Sequence, residues 1–490
     1  MSQVLIIGAG PTGLSLACGL ARYGLDVRVV DRATGPAQTS RANILHAGGA
    51  AALRRLGALG DLPQQALEPL GLTMYVDNRP ISTMRFTDLA GEPVQALFVS
   101  QAQIERRLRD RFAELGGHIE WSTQLTGLTD TGDGVVADLD GRTVTADYVV
   151  GCDGAHSTVR GLAGIGFPGV PVAERFLLAD VHLDWERDRT GSAGWFHRDG
   201  MLLAIPMRSQ ADDLWRLMGD VPDDGERLSS NDVLDRIRRM LAERTGESGA
   251  RIRSAAWTSV FRIHRRLADT YRRGRVLLAG DAAHIHSPIG GQGITTGIGD
   301  AENLAWKLGL VLDGRADPAL LDTYPEERRP IATEVLDRTT GNTRLLLGEG
   351  AVGRFVRDRL VVPMLRLPAI QHAATRRASQ LWISYRSGPL GGGSGRLRSG
   401  DRVTDRDCRT EAGERIRLHD ALDGGWVLLA DTEVLRDVAA ESIGDRVRWL
   451  RLDAEGKGPA LLVRPDGYLA WRGEDPSGLR SWLTRITERG

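Results

Sequence analysis

Three glycines near the start of the chain have the spacing of a phosphate-binding turn. Gly8, Gly10 and Gly13 form G-x-G-x-x-G, and Asp31 follows the last glycine after eighteen positions. In such a turn the first glycine permits a tight bend, the second lets the backbone approach a pyrophosphate, and the third lets a helix pack on a strand. An acid at this distance accepts hydrogen bonds from ribose hydroxyls. The pattern predicts a dinucleotide site, but it does not distinguish NAD from FAD.

The segments on either side of this turn must bring the glycines and the acid together. Residues 4–7 are a continuous apolar run, which predicts a strand buried on both faces, and residues 14–23 predict an apolar helix. Residues 26–30 predict a second strand that ends at Asp31. In this β-turn-α-β order, the N-terminus of the helix presents its free N–H groups to the phosphates.

A second segment places an Asp-Gly pair after an apolar run. Residues 146–152 predict a strand, which ends at Asp153 and Gly154 and is followed by Ser157 and Arg160 at helical spacing. Alone, Asp-Gly after a strand usually marks only a turn.

A third segment combines a strand with an unusual density of glycine. Residues 274–279 predict a strand that leads into G-D-A-A-H at 280–284, and several glycines then precede a helix predicted over 300–312. Because these glycines lie between a strong strand and a strong helix, we expect ordered backbone N–H groups that face a polar, planar group.

Together the three segments resemble the class A flavin monooxygenases, single-component aromatic hydroxylases such as the 4-hydroxybenzoate and phenol hydroxylases. That family carries G-x-G-x-x-G, then D-G-x-x-S-x-x-R, then G-D-A-A-H-x-x-x-P-x-x-G-Q-G followed by D-A-x-N-L-A-W-K-L. This chain matches the patterns at residues 8–13, 153–160, 280–293 and 300–308. The resemblance covers roughly the whole chain, and its second and third motifs select FAD over NAD.

The resemblance implies an α/β fold with a Rossmann-like FAD-binding domain, an interleaved β-sheet substrate domain and a thioredoxin-like C-terminal domain. We expect the FAD-binding domain to use residues 1–170 and, with a helical connection, residues 271–390. The substrate sheet should occupy residues 171–270, and the thioredoxin-like tail residues 396–490. Cys408 stands alone without a C-x-x-C, so we expect a structural tail, with a possible dimer contact, rather than disulfide exchange.

Periodicity supplies the elements of the middle and the tail. In the middle, strands are predicted over 176–183, 193–196, 201–207 and 214–220, with a helix over 231–244. Residues 331–385 are predicted to be helical, and the glycines of 391–395 indicate a linker. In the tail, strands are predicted over 426–430, 447–452, 460–463 and 468–471, with helices over 433–441 and 478–486.

Family roles can be carried onto matching residues. The resemblance implies that Asp281 holds the ribityl chain and that Asp153 serves both FAD and the nicotinamide cofactor. Arg41 matches an arginine near the flavin and its phosphates, Gln101 matches a glutamine near the ribityl chain, and Leu125 lies where backbone meets adenine. Arg41 and Gln101 could also be ordinary surface polar groups. The residues expected to bind FAD are Gly8, Gly10, Pro11, Thr12, Gly13, Asp31, Arg32, Arg41, Gln101, Leu125, Asp153, Asp281, Pro288, Gly291, Gly293, Ile294 and Thr295.

The chain departs from the family at two places near the flavin. Thr295 stands where many members have asparagine, so the backbone N–H groups of Ile294 and Thr295 are expected to face the flavin while a side-chain contact changes. Residues 46–49 read His-Ala-Gly-Gly where a further arginine is common. By resemblance, the backbone around Pro288 lies beside the flavin C4a position, and no side chain is assigned as a general base. His286 is either a proton carrier of the pocket or a hydrogen-bonded loop residue.

Aromatic residues of the middle region are candidates for the substrate pocket, although each could equally be sheet core or surface. These candidates are Trp195, Phe196, Trp215, Trp257 and Phe261. Four basic residues within 262–266 are expected to form a solvated face, unless one arginine reaches a bound phosphate.

Composition limits the partners. The formal net charge is −1, which favours neither nucleic acid nor an anionic membrane, and no apolar run reaches membrane-spanning length. The three cysteines form neither a disulfide framework nor a metal cluster, so we expect no metal site. The chain begins directly with a strand, without a signal sequence, which predicts a cytoplasmic protein. We expect a monomer or a homodimer.

The resemblance implies that NADPH or NADH reduces FAD, that O₂ then forms a C4a-hydroperoxyflavin, and that its distal oxygen hydroxylates an electron-rich ring. By analogy the substrate is a polycyclic, polyketide-type aromatic natural product. Alternatives are Baeyer–Villiger oxygenation by the same flavin and a non-catalytic flavin-binding tailoring partner. A flavin halogenase would need a lysine in the pocket and W-x-W-x-I-P. Neither Lys307 nor Lys457 is suitably placed, and the tryptophan motif is absent.

Overall fold

Three β-sheets organise the chain in the computed structural model. The structure describes residues 2–37, 44–67, 71–85, 95–208, 211–222, 225–247, 249–286, 291–347, 350–452 and 458–487. Two sheets have eight strands each and the third has six, with helices packed around them. The predicted α/β fold is confirmed. Within the described ranges, no helix combines the length and apolar character needed to span a bilayer.

The first sheet is built on parallel strands that are buried on both faces. In order of pairing, its strands are Arg272–Arg273, Val276–Leu278, Arg142–Gly151, Ser2–Ile7, Val27–Val30 and Ile119–Glu120, with Val135–Leu139 pairing to Arg142–Gly151 and Leu125–Asp130 beyond it. Three neighbouring strands in this order end just before Gly8, Asp153 and Gly280. Because parallel strands end at the same edge of a sheet, the three sequence motifs meet there.

The second sheet is mainly antiparallel and draws on distant parts of the chain. In order of pairing, its strands are His284–Ile285, Arg251–Leu267, Gly169–Asp184, Leu214–Pro222, Gly200–Pro206, Gly191–His197, Gly71–Val76 and Arg79–Arg85. The last two form a hairpin from within residues 1–170. The helix Ser230–Thr245 covers one face with Val233, Ile237, Met240 and Leu241. The basic run at 262–266 lies at the end of the long strand Arg251–Leu267, and its solvation stays a prediction.

The α-helices connect and cover the sheets. Their bounds are Pro11–Arg22, Ala47–Arg55, Leu62–Gln65, Gln101–Glu114, Thr158–Leu162, Ser230–Thr245, Gln292–Leu312, Thr323–Leu347, Gly350–Val356, Val362–Met364, Pro368–Ala378, Leu418–Leu422, Glu433–Ile443 and Pro476–Thr487. The helix predicted over 300–312 begins eight residues earlier, at Gln292. Glycines occupy its first turns because other chain segments lie close: a Cβ at Gly299 would lie 2.9 Å from the Arg328 guanidinium.

The C-terminal sheet is thioredoxin-like and packs on the first sheet's helices. Its strands, in order of pairing, are Arg415–Arg417, Asp407–Arg409, Val447–Leu452, Trp426–Leu429, Ala460–Val463 and Leu469–Gly473. A buried ion cluster joins the two regions: Arg464 donates to both carboxylate oxygens of Glu327 at 2.8 and 3.0 Å, and Lys307 donates at 2.8 Å. Among the glycines predicted as a linker, Gly392 forms a local β-bridge with Ser399, and the linker role stays a prediction.

Candidate active site

One large cleft runs from the glycine turn of the first sheet to one face of the second sheet. Its volume is about 1950 Å³. The predicted residues that line it are Gly8, Gly10, Pro11, Thr12, Asp31, Arg32, Gln101, Leu125, Asp153, Asp281, Gly291, Gly293, Ile294, Phe196, Trp257 and Phe261. Gly13 and Thr295 are buried beside it rather than in its lining. Arg41 and Pro288 lie outside the described residues.

The glycine turn has the geometry of a phosphate cradle. Gly8 has a φ of +108°, and an added Cβ there would overlap the backbone of Cys152. Gly10 caps the helix Pro11–Arg22, whose N-terminus has no side-chain cap and no acid in its first turn. A Cβ at Gly10 would meet no protein atom within 4 Å, so this backbone faces open space in the cleft. The free N–H groups and the open space fit a dinucleotide pyrophosphate.

Asp31 is held at the end of its strand, next to this turn. One carboxylate oxygen accepts a hydrogen bond from the Ala9 N–H at 2.8 Å, and the other accepts one from the Ala33 N–H at 2.8 Å. Gln101 lies further along the lining and donates to Glu105 at 2.7 Å. Burial raises the pKa of the Glu105 carboxyl. These bonds hold Asp31 in the lining of the cleft, and its contact with the ribose hydroxyls of a dinucleotide stays a prediction.

The second motif locks its own turn and joins it to the third motif. The Asp153 carboxylate accepts hydrogen bonds from the Ser157 hydroxyl at 2.5 Å and from the Thr158 N–H at 2.6 Å. Arg160 donates to the carbonyl of Ala282 at 2.9 Å, within G-D-A-A-H. Ser157 and Arg160 therefore hold this turn in place, and Arg160 also lines the cleft. The predicted contact of Asp153 with FAD and nicotinamide stays a prediction, made by a carboxylate that already accepts hydrogen bonds from the protein.

The third motif rests on a buried acid, Asp300, for which no role was predicted. Asp300 accepts from the Gly280 N–H at 3.0 Å and pairs with His284 Nε2 at 2.7 Å and Arg328 Nε at 2.7 Å. Burial alone would raise the pKa of Asp300, but Arg328 and His284 lower it below its usual value. We call Asp300, His284 and Arg328 together the Asp300 clamp. The clamp fixes the turn from which Asp281 projects into the cleft. The sequence feature that could have indicated this role is the D-A-x-N-L-A-W-K-L motif, because it contains Asp300.

A second helix N-terminus points into the cleft from the third motif. The helix Gln292–Leu312 begins at Gly291, which has a φ of +63°, without a side-chain cap. Its first free N–H groups, up to Ile294, lie in the lining and are suited to an acceptor edge of the flavin ring. Thr295 lies one residue too deep, because a regular helix pairs its N–H internally. The Thr295 hydroxyl instead accepts from the His46 N–H at 3.3 Å, which ties the helix to the segment that lacks the family arginine.

The far end of the cleft is a wall of side chains from the second sheet. Phe196, Trp257 and Phe261 face it, but Trp195 and Trp215 do not: each is 1% exposed and packs on the other face, beneath the helix Ser230–Thr245. The prediction was wrong for these two tryptophans because successive side chains of a strand point to opposite faces. Sequence reasoning also missed several apolar lining residues, namely Leu72, Met74, Met84, Leu178, Met201, Leu203, Met218 and Leu365. The alternation in Gly71–Val76 was the signal for the first two.

Two histidines of the third motif are stacked at the junction of the two ends. His284 is fully buried in the Asp300 clamp, while His286 lines the cleft with its ring 6.1 Å from that of His284 and nearly parallel to it. His286 lies beside the cleft, and both of its readings, a proton carrier of the pocket and a hydrogen-bonded loop residue, stay predictions.

Known proteins share both the sequence and this architecture. An FAD binding domain model matches residues 1–339, and an aromatic-ring hydroxylase C-terminal model matches residues 397–489. The chain is 34% identical to 6-methylpretetramide 4-monooxygenase of Streptomyces rimosus, over 99% of this chain and 92% of that one. It is 30% identical to dialkyldecalin synthase of Streptomyces rugosporus, over 98% of each.

A solved structure extends the likeness to three dimensions. Anhydrotetracycline hydroxylase from Streptomyces rimosus matches with a TM-score of 0.83 and 32% identity, covering 99% of both chains. The cradle, the Asp300 clamp and the two uncapped helix N-termini fit FAD. The chain therefore belongs to the family of FAD-dependent aromatic-ring monooxygenases, as its three motifs predicted.

Proposed function

We propose that this protein hydroxylates an electron-rich ring of a polycyclic, polyketide-type natural product, with NADPH or NADH as electron donor and O₂ as co-substrate. The observation that carries the proposal is the continuity of the cleft, in which a dinucleotide cradle opens directly onto an apolar wall. FAD, when bound and reduced, supplies the activated oxygen for this chemistry. We also propose a cytoplasmic monomer or homodimer.

The chain's own residues orient the reactants and keep water away. The two helix N-termini, at Gly10 and Gly291, would hold the cofactor, and the Asp300 clamp fixes the turn that carries Asp281. Phe196, Trp257 and their apolar neighbours exclude water from the reaction.

The size of the cleft supports a large second ligand. A volume of about 1950 Å³ exceeds the roughly 300–1,000 Å³ of a typical single-ligand pocket, so the cleft has room for FAD and a fused-ring substrate together. The relatives named for a pretetramide and an anhydrotetracycline point to the same substrate class.

The test is NADPH and NADH oxidation by the FAD-loaded protein with a panel of aromatic polyketides, followed by mass spectrometry of the products. We expect consumption that a substrate stimulates and a product heavier by one oxygen atom. Structure determination of that product separates a phenol from a ring-expanded lactone, the Baeyer–Villiger outcome. Absence of stimulated consumption across the panel would contradict the proposal.

A second candidate is non-oxidative ring formation on the same scaffold, which the likeness to dialkyldecalin synthase favours. In that case, product would form from a polyene substrate without nicotinamide consumption and without a change in mass. Running the panel with and without NADPH distinguishes the two functions.

A further inference from the structure

Two small residues interrupt the apolar wall of the cleft on one strand, Gly191–His197. Ser192, Gly194 and Phe196 alternate along this strand on the side that lines the cleft. In the neighbouring strand, Leu72 lies opposite Ser192 and Met74 lies opposite Gly194. Large side chains therefore flank two positions at which the wall is recessed.

Ser192 carries a hydroxyl that the protein does not satisfy. The residue is only 4% exposed, and its Oγ has no hydrogen-bond partner among the described residues. A buried hydroxyl without a partner costs free energy, so such groups are rare unless a ligand or water completes them. Since Ser192 lines the cleft, a bound molecule is the natural source of that partner.

One ion pair on this face already has its partners within the protein. Arg216 donates to both carboxylate oxygens of Asp180, at 2.7 and 2.8 Å, and both side chains are buried. Their opposite charges offset each other. The Ser192 hydroxyl is thus better placed than this ion pair to select among neutral ligands.

Gly194 leaves open space on the same strand, two residues from that hydroxyl. Its φ lies outside the left-handed region, so the backbone does not require glycine, and an added Cβ would come no closer than 3.8 Å to Leu203 and Leu72. The protein therefore has room for a Cβ there without a clash. The recess belongs to the cleft, and the missing side chain leaves room for the face of a fused ring.

We propose that Ser192 and Gly194 form a specificity strip for the substrate. A planar polycycle lies against Gly194, and the Ser192 hydroxyl hydrogen-bonds a phenolic or carbonyl oxygen on its edge. This inference rests on the proposed function for the substrate class, but it concerns binding and is measured without turnover.

The experiment titrates the FAD-loaded protein with 1,8-dihydroxyanthraquinone and with anthracene, its parent hydrocarbon, which carries no oxygen, following the flavin absorbance. Compared with the wild type, we expect Ser192→Ala to bind the dihydroxy probe more weakly, because one hydrogen bond is lost. This loss of affinity should be about tenfold larger for the dihydroxy probe than for its parent. Ser192→Thr should keep the preference. Gly194→Val should weaken both probes by about tenfold or more, since its side chain fills the recess.

Thr73→Val is the matched control. Thr73 lies between Leu72 and Met74, outside the cleft lining, and its hydroxyl contacts Thr83 on an exposed surface. It should bind both probes as the wild type does, and all variants should retain full flavin content.

Any of three results would overturn the proposed strip. Ser192→Ala could bind each probe as tightly as the wild type does, Gly194→Val could bind both probes with unchanged affinity, or the wild type could bind neither probe. The hydroxylation assay is read separately. A strip that behaves as expected in a protein that forms no oxygenated product would leave the inference standing and defeat the proposed function. If the protein hydroxylates its substrate but Ser192→Ala changes the affinity for neither probe, the proposed function stands and this inference fails.

Discussion

The two ends of the cleft are built from different parts of the chain. At the cofactor end the surface is largely backbone: Gly8 and Gly280 have φ angles of +108° and +62°, and two helix N-termini point inwards. At the substrate end the surface is a row of side chains on one face of a sheet, among them Phe196 and Trp257. Backbone contacts restrict the residue type at each position, whereas a side-chain wall restricts only which face is apolar. The cofactor end therefore tolerates little change, while the substrate end can change with its ligand.

The strongest test of this contrast is a side chain at the closest backbone contact of the cofactor end. An added Cβ at Gly13 would overlap the Gly8 carbonyl, which leaves no space for any other residue. We expect Gly13→Val to lose at least about 100-fold in FAD affinity and about 1–3 kcal/mol or more in the free energy of unfolding. The flavin-to-protein ratio and urea unfolding measure both.

Gly161→Ala is the matched control, because a Cβ there meets nothing within 4 Å and the residue lies in the helix Thr158–Leu162. It should purify with full flavin. A Gly13→Val protein that also purifies with full flavin would show that the close packing of strand and helix is not required.

The next test removes the charge that holds the third motif. Asp300→Asn leaves Arg328 and His284 buried without a carboxylate, so we expect a loss of about 3–5 kcal/mol in the free energy of unfolding and weaker FAD binding. Unfolding of holo and apo protein separates the two effects. Asp235→Asn breaks an exposed pair with Arg238 and should change stability by less than about 0.5 kcal/mol. Equal effects of the two substitutions would refute the Asp300 clamp.

Two tryptophans of the second sheet test the substrate end. Trp195 packs in the core beneath a helix, so Trp195→Ala should cost about 3–5 kcal/mol in stability and leave the substrate KM nearly unchanged. Trp257 lines the cleft and is less buried, so Trp257→Ala should raise KM about tenfold at a smaller cost in stability. If the two variants exchanged these effects, the assignment of the sheet faces would be wrong.

The same pair shows what could and could not be predicted from the sequence. The glycines and acids of the three motifs were recognisable because backbone geometry demands those residue types at fixed separations. The face of the sheet on which Trp195 lies could not be predicted, because a shift of one residue moves a side chain to the other side of a strand. The Asp300–Arg328 pair joins residues on two helices, and the start of the helix at Gln292 depends on close packing that glycine permits; neither is visible in local periodicity.

A pH series tests the buried ion cluster at the junction with the tail, whose acid Glu327 lines neither end of the cleft. Burial alone would raise the pKa of Glu327, but Arg464 and Lys307 lower it from 4.5 to about 2. Because the folded pKa is the lower one, the stabilisation is complete above pH 4.5 and is lost as the pH falls towards 2. The loss is about 3 kcal/mol.

Urea unfolding of the wild type and of Glu327→Gln across this pH range measures this loss of stability. The difference between their free energies of unfolding should become smaller as the pH falls. Glu114→Gln, at an exposed pair with Arg111, should show no such gap. A constant gap for Glu327→Gln would mean that Glu327 does not titrate between these limits.

The smallest expected effect concerns Thr295, which the family resemblance assigned to the cofactor and the structure buries beside it. Thr295→Val keeps the shape and removes only the hydroxyl that accepts from the His46 N–H, so we expect a loss of about 1 kcal/mol in stability. FAD affinity should change by less than about threefold, since the side chain is not part of the lining. Fluorescence titration of the apo protein with FAD gives the affinity. A tenfold or greater loss would place this side chain at the flavin, and the cofactor end would then depend on a side chain where its neighbours act through backbone.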